Sequence, residues 1–222
     1  MTSRAQVFVF TGFRGGVLGH NETRLQNLFD RWDIPVHIFK DLGQRLYLGG
    51  GELFSDREAL SSHIQSQVDA ADVNIAIGAS GGGYMALRQA AENRFAHCVL
   101  FSPITAFDEA ATLVDQRGSR IVPELHKLEP SDHDRDAARL LMRHGYDGSV
   151  HVFYPKHGRG DVFHARNLAL HDRVVYHPQN SARHMFNADT DQNLTKCLRT
   201  FMEHEALQHL LAERTVVEAP AA

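Results

Sequence analysis

The chain is poor in cysteine, with two in 222 residues. Cys98 sits in the apolar run AHCVLFSP and reads as a buried strand residue, and Cys197 falls in a helical pattern near the C-terminus. Two residues so placed are not a disulfide framework, and with no C-x-x-C pair a cysteine metal site is excluded. A basic excess is also missing. The 23 Lys and Arg stand against 27 Asp and Glu, for a formal net charge of −4. The basic residues are scattered rather than striped, which argues against general nucleic-acid binding. No apolar run approaches the roughly 18 residues that a membrane-spanning helix needs. The opening MTSRAQVFVFTGF has one Arg, a short apolar run and no small-residue cleavage site, so it reads as a strand rather than a leader, and a cytoplasmic protein is expected. Nucleotide loops are absent, since no G-x-G-x-x-G follows the first strand and no G-K-[ST] closes a phosphate loop. His171, His177 and His184 lack the i, i+4 spacing of a helical zinc pair, and SDHDRD lacks the Gly and distal Glu of a calcium loop. Neither metal nor cofactor is expected.

What remains is ordinary for a globular protein: 43% hydrophobic and 23% charged residues, in a length that suits one domain with a substantial core. Short apolar runs at 6–12, 34–41, 74–79, 97–103, 149–155 and 173–178 read as strands. Helical patterns lie between most of them, over Glu22 to Trp32, Asp56 to Asp69, Gly82 to Asn93 and His164 to Leu170, with a last helix from about Asp189 to Arg214 and a frayed tail, TVVEAPAA. This alternation, with nearly continuous apolar strands, predicts an α/β fold: a three-layer α/β/α sandwich around a mainly parallel sheet. The interval 107–148 is rich in charge and broken by Pro123 and Pro130, and reads as an excursion of short helices placed to cover a site. Within it, Asp132, Asp134 and Asp136 read as a solvated face.

Gly78-Ala79-Ser80-Gly81-Gly82 fits G-x-S-x-G, and it falls after a strand and before a helix, the context that gives the motif meaning. A serine at such a sharp turn takes a strained backbone, so the residues two before and two after it must be small. The turn lifts the hydroxyl to a helix N-terminus, where free N–H groups favour developing negative charge. The competing explanation is a glycine-rich turn selected for close packing.

A nucleophilic serine needs a base and a carboxylate to orient it, in the chain order Ser, acid, His on late loops. Asp161 is the only carboxylate of the loop after SVHVFYP, and it also stands where a helix N-cap is expected. His184 follows the last strand, in QNSARHMF. His177 is a rival for the base at the strand's end, and His171 precedes the strand and belongs to the wrong end of the sheet. Asp172, which also precedes a strand, is set aside as the acid on the same ground. For the oxyanion hole the backbone N–H of Gly81 is one donor and that of Phe13, in the loop after the first strand, is the other. Arg14 is placed to meet an anionic group of the substrate. Tyr84 and Tyr47 suit core or rim positions, and Tyr84 is taken as a substrate-binding candidate.

With Ser80, Asp161 and His184 in this order, the chain resembles an α/β-hydrolase in a compact form that begins at what the fold counts as its third strand. More narrowly, GASGGGYMAL followed by CVLFSPIT, with LGQRLYLGG upstream, resembles small hydrolase-like proteins linked to bacterial surface-polysaccharide or glycan export loci. The resemblance extends over roughly residues 7 to 205, and it lacks the HGGG oxyanion loop of many lipases and esterases. It implies a cofactor-free Ser–His–Asp esterase or deacylase acting on an acyl ester of a small molecule or a glycan. An acyltransferase with the same triad, and a non-catalytic binding or assembly protein on the same fold, stay open, as does a homo-oligomer.

Overall fold

The computed structural model describes residues 5–184, 186 and 191–211. Six strands form one parallel sheet: β1 (Ala5–Phe10), β2 (Val36–Phe39), β3 (Val73–Ala79), β4 (His97–Phe101), β5 (Ser149–Pro155) and β6 (Val174–Gln179). Their order is β2-β1-β3-β4-β5-β6. The chain starts at β1, moves outward to β2, then crosses back to β3 on the other side of β1. That reversal opens a crevice beyond the C-terminal ends of β1 and β3, where open α/β sheets hold their ligands.

Alternation along the strands builds two cores. Phe8 and Phe10 of β1 pack with Phe39, Ala76 and Leu100 beneath α2 (Arg57–Gln67), α3 (Gly81–Glu92), α6 (Ala137–His144) and α7 (Arg159–Asn167). Val7 and Val9 point to the opposite face and join Ile75, Ile77, Val99 and Phe153 beneath α1 (Glu22–Arg31) and α8 (Asp191–His204). These are the three layers expected. α1 shows how a helix joins such a layer: the Asn21 side chain accepts the Arg24 N–H as N-cap, and Leu25, Leu28 and Phe29 form its buried stripe. Each buried side chain of this kind contributes about 1.5–3 kcal/mol.

Strands occur at all six expected places, and the main differences lie in the helices. α7 begins at Arg159 rather than His164, capped by Gly158, so Asp161 sits in the first helical turn and is neither a loop residue nor the N-cap. The last helix ends at His204, because Ala206 turns with φ of 57° and the Leu207 N–H returns to the Met202 carbonyl at 2.7 Å. The expected start at Asp189, the end at Arg214 and the tail lie outside the described residues. Between β4 and β5 the 107–148 interval carries α4 (Glu109–Val114), α5 (Val122–Leu128) and α6. Its aspartates are not one solvated face. Asp132 is exposed, but Asp134 is buried against Arg143, and Asp136 is buried as the N-cap of α6. Among the described residues, no helix is long and apolar enough to cross a membrane.

Candidate active site

The turn from β3 into α3 can be made only by small residues. A Cβ on Gly78 would lie 2.7 Å from both the Ala86 methyl carbon and Gly83 Cα, and one on Gly82 would lie 2.2 Å from the Phe10 carbonyl oxygen. With that approach Ser80 adopts φ of 48° and ψ of −119°, a conformation costing about 1–3 kcal/mol that the surroundings must hold in place. They hold it with three backbone hydrogen bonds: the Ser80 N–H to the Phe101 carbonyl at 3.0 Å, and the Gly83 and Ile104 N–H groups to the Ser80 carbonyl at 3.0 and 2.8 Å.

The other two expected residues meet Ser80 there. His184 Nε2 lies 2.9 Å from Ser80 Oγ, and His184 Nδ1 lies 2.6 Å from Asp161 Oδ1. Asp161 is buried, and the His184 side chain is 27% exposed. The rivals lie elsewhere. His177 points to His151 at 3.0 Å and stacks on Phe153, and burial, with the neighbouring His151 and His204, pushes its pKa down to about 4. His171 bonds the Gly148 carbonyl at 2.9 Å.

Sequence reasoning did not find the groups that hold these three side chains. Arg117, between α4 and α5, donates from Nη1 to Asp161 Oδ1 and Oδ2 at 3.1 and 3.3 Å. Its Nε and Nη2 grip Asp115 at 2.8 and 2.5 Å. Asp115 Oδ2 also accepts from His164 Nε2 at 3.1 Å. The Thr105 backbone N–H donates to His164 Nδ1 at 3.2 Å, which leaves the ring proton on Nε2, facing Asp115. Burial alone would raise the Asp115 carboxyl, but the bonds from His164 and Arg117 outweigh it and hold the pKa far below the usual range. Burial likewise opposes the charge on Arg117, and the Asp115 and Asp161 carboxylates reverse that and raise it. Ser102 is a further support. It follows β4 directly with φ of 45°, and its hydroxyl donates to the His184 carbonyl. The stretch FSPIT carries Ser102 and Thr105, but no spacing rule links either to a histidine.

The Phe13 ring packs against the backbone of Gly81. A Cβ on Gly81 would lie 2.4 Å from the Phe13 ring. The Gly12–Gly16 turn closes through Gly12 N–H to the Gly16 carbonyl at 3.0 Å and Gly15 N–H to the Gly12 carbonyl at 2.8 Å. Among the described residues neither the Phe13 nor the Gly81 N–H has a backbone acceptor. Phe13 lines a cavity of about 390 Å³ whose wall also includes Gly12, Ser80, His184, Ile104, Arg117 and the exposed Arg14, and the buried Gly81 follows Ser80 in the chain. Tyr84 is different. It is fully buried under the 107–148 interval, with its hydroxyl donating to the Asp134 carbonyl and accepting from Arg88 Nη1 at 3.2 Å. Its ring packs edge-on against Phe107 at 5.1 Å and does not line the cavity, so it is a core residue and not a substrate contact. Tyr47 is buried as well, its hydroxyl 2.7 Å from the Phe39 carbonyl.

No family model and no curated protein matches the chain by sequence. Solved structures do match it in shape. A structure from a study of LipS and LipT, two metagenome-derived lipolytic enzymes, superposes with a TM-score of 0.57 at 13% identity, covering 92% of this chain and 94% of its own. MenH from S. aureus gives 0.54 at 14% identity, with 93% and 100% covered. A lipase-esterase related protein from Clostridium acetobutylicum gives 0.54 at 12% identity, with 90% and 95% covered. Identities this low carry the architecture and nothing finer. The chain has the α/β-hydrolase fold, built on a compact, unclosed parallel sheet of six strands.

Proposed function

We propose that this protein is a serine hydrolase that cleaves a carboxylic ester of a small molecule or a glycan. The observation that carries the reading is the unbroken hydrogen-bonded line from Ser80 Oγ through His184 to Asp161, opening on a cavity. In this reading Ser80 attacks the acyl carbon while His184 Nε2 takes its proton, and Asp161 holds the imidazole and stabilises its charged form. The Gly81 and Phe13 N–H groups receive the tetrahedral oxyanion. His184 then returns the proton to the leaving alcohol, and a water repeats the sequence on the acyl-enzyme. The cavity volume suits a short acyl group with part of its alcohol, and Arg14 at the rim suits a substrate with an anionic group nearby.

Hydrolysis of p-nitrophenyl acetate tests the assignment. Ser80→Ala and His184→Ala are each expected to lower kcat by at least about 10³-fold with the fold intact, the scale of loss when a triad member is removed. Turnover unchanged in Ser80→Ala contradicts it. Product analysis with added sugar acceptors separates water from an alcohol as the second nucleophile, and so hydrolase from acyltransferase.

A further inference from the structure

A second group of chemically capable side chains lies on the α8 face of the sheet, away from the cavity. His151 of β5 is fully buried, and its Nε2 lies 2.7 Å from Glu205 Oε1. The same oxygen lies 3.0 Å from His204 Nδ1, at the end of α8. His97 of β4 faces the other carboxylate oxygen at 3.5 Å, while its Nδ1 also meets Ser149 Oγ at 2.8 Å. The Glu205 side chain is only 12% exposed, and among the described residues its ion-pair partners are these three imidazoles, with no Lys or Arg. A carboxylate taken out of water calls for a positive partner, and imidazoles supply one only when protonated.

The donor set suits a cation. Ligand atoms of His151, His204 and Glu205 all lie within 4.8 Å of one another. Donors about 2.0–2.1 Å from a tetrahedral ion stand about 3.3 Å apart, so small side-chain shifts would admit one. The arrangement behind His151 suits it too. His151 Nδ1 lies 3.0 Å from His177 Nε2, with the two rings within 15° of parallel. At 2.7 Å the His151 Nε2–H donates to Glu205, and a bound ion would take the place of that proton, with Nδ1–H then donating to His177 as the supporting hydrogen bond of an imidazole ligand. His204, with its side chain 51% exposed, leaves a path for entry.

We propose that His151, His204 and Glu205 form a binding site for a divalent transition ion of the zinc class, with His177 orienting His151 and solvent in the fourth position. Two nitrogens and one carboxylate oxygen match the preference of such an ion over magnesium or calcium. The ion pins the end of α8 to β5 and takes no part at Ser80. His151 pairs with Val99, two residues before Phe101, whose carbonyl receives the Ser80 N–H at the far end of the strands.

The test uses the full chain, stripped with EDTA and dialysed against Zn(II). One bound equivalent is expected by elemental analysis, together with a rise in Tm. Glu205→Gln and His204→Ala, checked for folding by circular dichroism, are expected to lose that equivalent, and His177→Ala to bind about 10- to 100-fold more weakly. No binding by the folded wild type, or equal stoichiometry and affinity in Glu205→Gln and His204→Ala, overturns the proposal. The second outcome assigns the ion to other members of a chain with 15 histidines.

Discussion

At the scale of single residues, the candidate site divides into Ser80 and His184, which line the cavity, and groups that hold them. Asp161 stands between His184 and Arg117, so its carboxylate is fixed from two sides. Arg117 is fixed in turn by Asp115 and, through it, by His164. Removing Arg117 frees Asp161 to rotate and loosens the imidazole that it orients. Arg117→Gln is therefore expected to lower kcat about 10- to 100-fold with KM little changed, the effect of a misplacement of about an ångström, and Arg117→Lys to recover part of the loss. Steady-state kinetics on both variants checks this. A matched fall of both kcat and KM, or no change, contradicts the positioning role. That Ser80, Asp161 and His184 would lie together was readable in the sequence because motif and chain order constrain their places. Arg117, Asp115 and Ser102 were not, because a side chain that supports another from a distant loop leaves no local pattern. Tyr84 misled because a tyrosine four residues after Ser80 lies on a helix, and the face of that helix is decided by what packs over it.

At the scale of elements, the interval between β4 and β5 is tied to α3 by charge as well as by apolar contact. Arg88 of α3 and Arg57 of α2 both reach Glu129 Oε2, at 2.7 and 2.6 Å, and the side chains of Arg88 and Glu129 are nearly inaccessible. Burial works against the Arg88 charge, and its acidic neighbours outweigh that and raise its pKa. Glu129→Gln leaves two guanidiniums facing a neutral amide. A loss of about 3–5 kcal/mol is expected, a fall in Tm of roughly 10 °C by thermal unfolding. A shift of one or two degrees would mean that the network adds little. The six strands were legible because buried parallel strands are apolar runs of the right length. The start of α7 was not. Arg159 and Gly160 carry no helical periodicity, and Gly158 caps the helix through its backbone conformation rather than a side chain. The polar run at 129–139 was misread for a related reason: charges that pair in the interior look the same in sequence as charges left in water.

At the scale of the whole molecule, the site occupies the point where the strand order reverses. β1 supplies the Phe13 loop and β3 supplies Ser80, side by side because β1 and β3 are paired. The later strands bring Asp161 and His184 to the same end of the sheet. Global stability is coupled to the site through Asp115. Its folded-state pKa is depressed below the ordinary aspartate value of about 3.9, so its contribution is complete above roughly pH 5 and is lost as pH falls toward the folded value. Denaturant unfolding of the wild type and Asp115→Asn is expected to give a stability gap that narrows from pH 7 to pH 3. A gap independent of pH would contradict the depressed pKa. The account as a whole rests on Ser80 being a nucleophile activated by His184, and covalent labelling reads that state without knowledge of the substrate. A fluorophosphonate probe followed by peptide mass spectrometry is expected to place one adduct on Ser80, with labelling abolished in Ser80→Ala and sharply slowed in His184→Ala. A folded wild-type protein that takes no label, or carries it on another residue, would contradict the account.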